Sequence, residues 1–302
     1  MPIKVVIAGA TGMLGQHLFR VFSGSPVYDV YGVSRTGAHI PADRHIQLDM
    51  TDTAQLKKSM LALKPEIVIY AAAQVNVDLC EKDKDYAYAL HVTAAKVLSE
   101  LPSVKSFVYI SSDAVFDGQR GNYVEKDSCN PLNYYATTKM LAEQELLKRS
   151  SDIYVIRVNI YGFHATLGNS LFEWAWNALE KGDTITGFDN VYFNPLYVGT
   201  LARLVLKLIE KKVKKGIYHF GTSDTLSKYD FLLSIANAFN FDTSLLQKTP
   251  LDQSKFKAPR PLNTTLCTNK IVAAGIRMPA FEEGMAELVN DFKKNFANEY
   301  NL

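Results

Sequence analysis

Ile3-Lys-Val-Val-Ile-Ala8-Gly9-Ala-Thr11-Gly12-Met13-Leu14-Gly15 decides the fold. The apolar run Ile3 to Ala8 reads as a short buried strand, and the periodicity from Met13 to Phe22 reads as a helix, so the three glycines fall on a strand-to-helix turn. Without side chains there, backbone can come close to a pyrophosphate, and the first N–H groups of the helix point at it. Gly9, Gly12 and Gly15, with Thr11, Met13 and Leu14 between them, are therefore candidates for holding a dinucleotide. The spacing is G-x-x-G-x-x-G and not the G-x-G-x-x-G of many dehydrogenases, and a purely structural turn is the alternative reading.

The alternation continues along the chain. Strands are expected at Val27 to Val33, Glu66 to Ala72, Ser106 to Ser111 and Ile153 to Val158, with a short third strand ahead of Asp49. Helices are expected at Thr53 to Leu63, Asp85 to Leu101 and Tyr134 to Arg149. Strands joined through helices of this length predict right-handed crossovers and a parallel sheet. After Tyr161-Gly162 the pattern loosens into a helix at Ser170 to Glu180 and a Gly/Asp-rich stretch, before a helix at Gly199 to Lys211 and a strand at Gly216 to Phe220 complete the sheet. The expected class is α/β: a doubly wound parallel sheet of the Rossmann type with a smaller C-terminal α/β lobe. Residues 1–162 and 193–221 form the dinucleotide-binding domain in this reading, and 163–192 and 222–302 form a substrate lobe over the carboxyl ends of the strands.

Chemistry gathers at those strand ends. The second strand ends in Ser34-Arg35, where an adenosine ribose would lie; a guanidinium suits a 2′-phosphate better than a hydroxyl, which favours NADP(H), with NAD(H) the alternative and a merely solvated Arg35 the bland reading. Asp49-Met50 is placed to border the adenine, and Ala71-Ala72-Ala73 has side chains small enough for a cofactor to lie close, although packing would explain both. Tyr135 and Lys139 are four residues apart and share a helix face, so both can point toward Ser112 at the end of the fifth strand. A tyrosine with an ordinary pKa near 10 is a sluggish acid at neutral pH, and an adjacent ammonium is expected to lower it. The alternative is a helix that simply packs Tyr135.

Composition sets outer limits. The chain has 302 residues, 47% hydrophobic and 21% charged, with a formal charge of +2 and dispersed basic residues, so nothing points to nucleic acid. Cys80, Cys129 and Cys267 are too few for a disulfide framework, the six histidines show no metal-ligand spacing, and no apolar run approaches a membrane span. A cytoplasmic protein with no metal and no membrane association is expected.

With these residues in view, the chain resembles the extended short-chain dehydrogenase/reductase superfamily, and within it the dTDP-4-dehydrorhamnose reductase family. Gly9 to Gly15 is similar to the family's glycine turn, Ala71 to Glu81 to its A-A-A-x-x-x-V-D-x-x-E segment, and Ser111-Ser112-Asp113-Ala-Val-Phe-Asp117-Gly to its S-T-D-Y-V-F-D-G. Pro131-Leu-Asn-Tyr-Tyr135-Ala-Thr-Thr-Lys139 with Glu143 resembles its P-x-N-x-Y-G-x-x-K-x-x-x-E. Later, Gly216-Ile-Tyr-His219, Ser227-Lys-Tyr and Arg260-Pro-Leu-Asn263 resemble its G-x-Y-H, S-x-Y and R-P-x-N.

The resemblance implies hydride transfer to C4 of a 4-keto-6-deoxy nucleotide sugar. Tyr135 would protonate the forming alkoxide, Ser112 would hold the carbonyl oxygen, and Lys139 would bind the nicotinamide ribose. Val75, Val77, Asp113 and Asn159 would line the sugar pocket, though packing also explains the valines. Arg260, held in Pro259-Arg260-Pro261, is expected near the substrate phosphates, with a structural bridge between lobes as the alternative. A nucleotide-sugar substrate and a homodimer are the expected partners.

Departures bear on the sugar more than on the reaction. His91 stands where the superfamily usually has asparagine, Ala114 replaces the tyrosine of S-T-D-Y, Cys267 replaces an aspartate, Met13 replaces a frequent glutamine, and Arg157-Val-Asn-Ile-Tyr161 is one residue tighter. Two other readings share the motifs: a regulatory or binding subunit like the β subunit of methionine adenosyltransferase, and a nucleotide-sugar epimerase or dehydratase.

Overall fold

The computed structural model describes residues 1–37, 39–149, 151–256 and 258–300. Among them, seven strands form one sheet: β1 (Ile3–Ala8), β2 (Tyr28–Ser34), β3 (His45–Gln47), β4 (Ile67–Tyr70), β5 (Ser106–Ile110), β6 (Asp152–Arg157) and, after four short strands elsewhere, β11 (Gly216–His219). Their order is β11-β6-β5-β4-β1-β2-β3 and every pairing is parallel. This is the expected doubly wound α/β architecture.

Alternate residues of each central strand enter opposite cores. Val5 and Ile7 of β1, Ile69 of β4, Val108 of β5 and Ile156 of β6 face one side, while Val6, Val68, Phe107 and Val155 face the other. A sheet covered on both faces needs apolar side chains at every position, which is why these strands read as continuous β-branched runs. The first face is covered by α1 (Met13–Ser23) and α8 (Val198–Glu210), through Leu14, Leu18 and Phe22 against Leu201, Val205 and Leu208. The second is covered by α2 (Thr53–Leu63), α5 (Ala94–Ser99) and α6 (Tyr134–Leu146), through Leu56, Met60, Leu98, Ala142 and Leu146.

One expectation needs correction. The helix expected over Asp85 to Leu101 is α4 (Lys84–Tyr88), one π turn (Ala89–Thr93) and then α5. A further short helix, α3 (Val77–Lys82), precedes it, started by the Asn76 side chain accepting from Leu79 N–H at 3.0 Å.

Beyond the sheet, β7 (Ile160–Tyr161) pairs with β10 (Leu196–Tyr197), β8 (Ile185–Phe188) with β13 (Leu246–Thr249), and β9 (Tyr192–Phe193) with β12 (Leu226–Ser227). The helices α7 (Leu171–Glu180), α9 (Lys228–Ala238) and α11 (Phe281–Tyr300) pack around these strands, and α10 (Asn269–Ala273) lies beside β11. Ser170 and Ser227 start α7 and α9 with full capping boxes. Phe172, Trp176, Phe231 and Phe292 extend the α1/α8 core without a break into this region.

Three fully enclosed histidines make stability depend on pH. His17 is held at about 4 by burial and Arg20, His219 at about 3 by burial and Arg157, and His91 well below its usual value by burial and Lys139. Each is lower folded than unfolded, so below pH 6.5 the unfolded chain takes up more protons. The stabilisation is complete above 6.5 and is lost as pH falls toward the folded values. About 1.4 kcal/mol per group is expected between pH 7.5 and 5.5, or about 4 kcal/mol together. Urea unfolding at the two pH values checks this, and equal stabilities would refute it.

Candidate active site

β1 and β4 are neighbours, with β2 and β3 beyond one and β5, β6 and β11 beyond the other. A crevice opens at such a switch point, past the carboxyl ends of the strands. Gly9 sits in it at φ +83, and a Cβ there would stand 2.8 Å from the Ala72 backbone. Gly15 packs face to face with Gly9: an added Cβ would lie 2.0 Å from its carbonyl oxygen. Gly12 begins α1 with no side-chain cap, so no side chain competes for the N–H groups of Met13 and Leu14. This cradle suits a dinucleotide phosphate, and the backbone of Ala71 and Ala72 lies against Gly9.

At the end of β2 the two adjacent residues differ. Ser34 is buried, its hydroxyl donating to Thr36 O at 2.8 Å and pairing with His45 Nε2 at 2.9 Å, whereas Arg35 is exposed. Asp49 accepts from Thr51 N–H at 2.9 Å and from its hydroxyl at 2.7 Å. The Thr51 backbone bond is the main cause of its low pKa, and the Arg35 charge adds to it. Met50 next to them is buried.

Ser112, two residues past the end of β5, caps a 3-10 turn, accepting from Ala114 N–H at 3.1 Å and donating to Asp113 Oδ1 at 3.1 Å. Tyr135 stands on the first turn of α6, which Asn133 caps through Ala136 N–H at 3.0 Å and Glu81 anchors through Tyr134 N–H at 2.7 Å. The Tyr135 side chain stands beside that of Ser112, as α6 packs against the Ser112 turn. Lys139 is buried one turn on, donating to Ile110 O at 2.9 Å with its ammonium 4.9 Å from the Tyr109 ring centre and 6.0 Å from that of Tyr135.

The expected lowering of the Tyr135 pKa is not what this arrangement produces. Desolvation pushes the Tyr135 hydroxyl above its usual value, the Asp113 charge adds to this, and the neighbouring Ser112 hydroxyl offsets only part. Lys139 spends its charge on a carbonyl and a ring, and burial lowers it to about 8 against the pull of Glu143. Tyr135 is therefore fully protonated at neutral pH.

Asp113 binds the cluster to later parts of the chain: its Oδ2 accepts from Asn159 Nδ2 at 2.9 Å and from the Thr264 hydroxyl. Lys228, which the sequence singled out only as part of Ser227-Lys-Tyr, lies in the electrostatic reach of Asp113 with its ammonium 3.3 Å from the Phe193 ring centre. Arg260 is not brought to this cluster. It faces Asp78 of α3 at 3.8 Å and the Phe256 ring at 5.7 Å, and Asn133 Nδ2 joins its segment to α6 through Pro259 O at 3.1 Å. Val77 opens α3, and Val75 just before it is 72% exposed, so neither valine is core. Among the described residues, no group of His, Cys, Asp and Glu could hold a metal, and no helix is long and apolar enough to cross a membrane.

Residues 3–294 match the family described as RmlD substrate binding domain. The chain belongs to that family. An RmlD-family likeness is also seen in three dimensions: the dTDP-4-dehydrorhamnose reductase from Bacillus anthracis str. Ames, solved in complex with NADP, superposes with a TM-score of 0.84 at 26% identity, over 96% of this chain and 100% of that one. In sequence, the methionine adenosyltransferase 2 subunit beta of Xenopus tropicalis is 31% identical over 294 residues, covering 94% of this chain and 86% of that protein. The spore coat polysaccharide biosynthesis protein SpsK of Bacillus subtilis is 29% identical over 293 residues, covering 95% and 97%.

Proposed function

We propose that this RmlD-family chain is an NADP(H)-dependent reductase of a nucleotide-linked 4-keto-6-deoxy sugar. The observation that carries the reading is that α6, bearing Tyr135 and the buried Lys139 one turn apart, packs against the Ser112 turn, with Lys139 donating to Ile110 O at 2.9 Å. The nicotinamide, when bound, supplies the hydride that reduces the sugar carbonyl. A carbonyl oxygen inserted between the two hydroxyls accepts from both: Ser112 turns its hydrogen from Asp113 to orient it, and Tyr135 releases its proton as negative charge develops. Lys139 supplies the nearest cation to the tyrosinate left behind. Asp113 and Asn159 offer hydrogen-bonding partners to the sugar, and Arg260, facing Asp78, is assigned to its nucleotide end.

Oxidation of NADPH in the presence of a panel of nucleotide 4-keto-6-deoxy sugars tests the reading. Turnover on at least one of them is expected, and none across the panel would favour the second reading, a regulatory subunit. The 31% identity to a methionine adenosyltransferase subunit supports that alternative. The cofactor preference has its own check. The exposed Arg35, next after the last residue of β2, supports a 2′-phosphate; Arg35→Ala should cost about 1.5 to 3 kcal/mol of NADPH affinity and leave NADH affinity nearly unchanged. Equal losses for both in a fluorescence titration would remove Arg35 from the site.

A further inference from the structure

The π turn at Ala89–Thr93 opens two carbonyls toward the sheet, and tyrosines take both: Tyr70 Oη donates to Leu90 O at 2.5 Å and Tyr109 Oη to His91 O at 3.2 Å. π turns of this kind recur at functional sites. This one carries His91 inward, to complete burial, against the helix of Tyr135.

Its hydrogen bonds can be assigned proton by proton. Gln74 N–H lies 2.8 Å from His91 Nε2, and a backbone amide can only donate, so Nε2 accepts and a neutral ring must carry its hydrogen on Nδ1. Nδ1–H then donates to Thr138 Oγ1 at 2.7 Å, and the Thr138 hydroxyl passes its own hydrogen to Tyr135 O at 2.8 Å. The imidazole also stands edge-on to the Tyr135 ring, 5.7 Å between centres. Gln74 is in turn tied to α3, its side chain accepting from Asn76 N–H at 3.1 Å and its carbonyl from the Cys80 thiol at 3.3 Å.

We propose that His91 is a positioning residue: locked as the Nδ1–H tautomer, it ties the start of α6 to the strap of residues 71–76 that follows β4, so that Tyr135 and the cofactor-facing strap keep one relative position. The catalytic part of this proposal rests on the reductase reading; the tautomer and the tie do not. Burial and the Lys139 charge keep the ring neutral at physiological pH. Asparagine can reach the place of Nδ1 but not of Nε2, and glutamine the reverse, so the two bonds can be removed separately.

A long-range 15N–1H correlation spectrum of the imidazole at pH 7 tests the tautomer without any need for turnover. A protonated Nδ1 with a bare Nε2 is expected, and an Nε2–H or imidazolium pattern would overturn the proposal. His91→Asn should then weaken NADPH binding about three- to tenfold with kcat nearly intact, while His91→Gln and Thr138→Val should lower kcat by a similar factor with NADPH affinity intact. His91→Leu with wild-type thermal midpoint, affinity and kcat would overturn the positioning role. So would losses of equal size in both readouts for His91→Asn and His91→Gln. A wild-type protein that turns over no sugar counts against the reductase reading, and the spectrum and the NADPH titration still decide the tie.

Discussion

Tyr135→Phe should fold, keep its affinity for NADPH and lose about 100- to 10,000-fold in sugar reduction, the range that a positioned general acid contributes. The substitution removes one oxygen. Ser112 retains its bond to Asp113 and its acceptance from Ala114 N–H, and the phenyl ring keeps its edge contact with His91. No buried partner is left stranded, so the thermal midpoint should move little while turnover collapses. Stopped-flow or steady-state NADPH oxidation, paired with a cofactor titration, separates the two effects. A variant that keeps more than about a tenth of wild-type turnover would show that Tyr135 is not the acid.

Glu143→Ala should be the most damaging single change to stability. Glu143 and Arg157 are each 3% exposed, with Nη2 to Oε2 at 2.6 Å and Nε to both carboxylate oxygens at 3.1 Å. Ser111 also donates to Glu143, and the guanidinium is completed by Cys129 Sγ at 3.1 Å and the Phe116 ring at 5.0 Å. Taking away the carboxylate leaves a buried cation without its counter-ion, a loss typically worth about 3 to 5 kcal/mol. Replacing both together, as Glu143→Leu with Arg157→Met, should restore much of it, because the cost lies in the orphaned charge more than in the missing pair. Denaturant midpoints of the two singles and the double check this; a Glu143→Ala midpoint within about 1 kcal/mol of wild type contradicts it. The damage should reach the site, since Glu143 lies one turn beyond Lys139 and Ser111 precedes Ser112.

Much of this was legible in advance, for reasons that differ by element. Strands such as Ile3–Ala8 and Ser106–Ile110 are enclosed on both faces, so their apolar runs show in the sequence, and Tyr135 and Lys139 share a helix face because of helical geometry alone. The features that were not legible depend on partners far along the chain. The π turn at His91 is held by hydroxyls from Tyr70 and Tyr109, which no local pattern announces. The ammonium of Lys139 turns to Ile110 O because a buried carbonyl and the Tyr109 ring are nearer than the Tyr135 ring centre, so the expected tuning of the tyrosine fails for a tertiary reason. Strands of two residues, such as Ile160–Tyr161 and Leu196–Tyr197, are too short to carry any periodicity. Lys228 reaches the Asp113 neighbourhood only because α9 begins where β12 pairs with β9.

The order in which the sheet is completed has a consequence for the chain while it is being made. Helix α1 emerges from the ribosome early, but α8, which covers the same face of the sheet, follows some 180 residues later, and β11 later still. At about 5 to 20 residues per second, Leu14, Leu18 and Phe22 wait roughly ten to forty seconds for Leu201, Val205 and Leu208. From the time β6 is made until β11 follows it about 60 residues later, β6 is a raw edge, open to pairing with a neighbouring nascent chain. Polysomes crowded with half-made copies are thus the setting in which this protein is most exposed to aggregation, and a product ended by a premature stop codon before Gly216 would carry that exposed edge permanently.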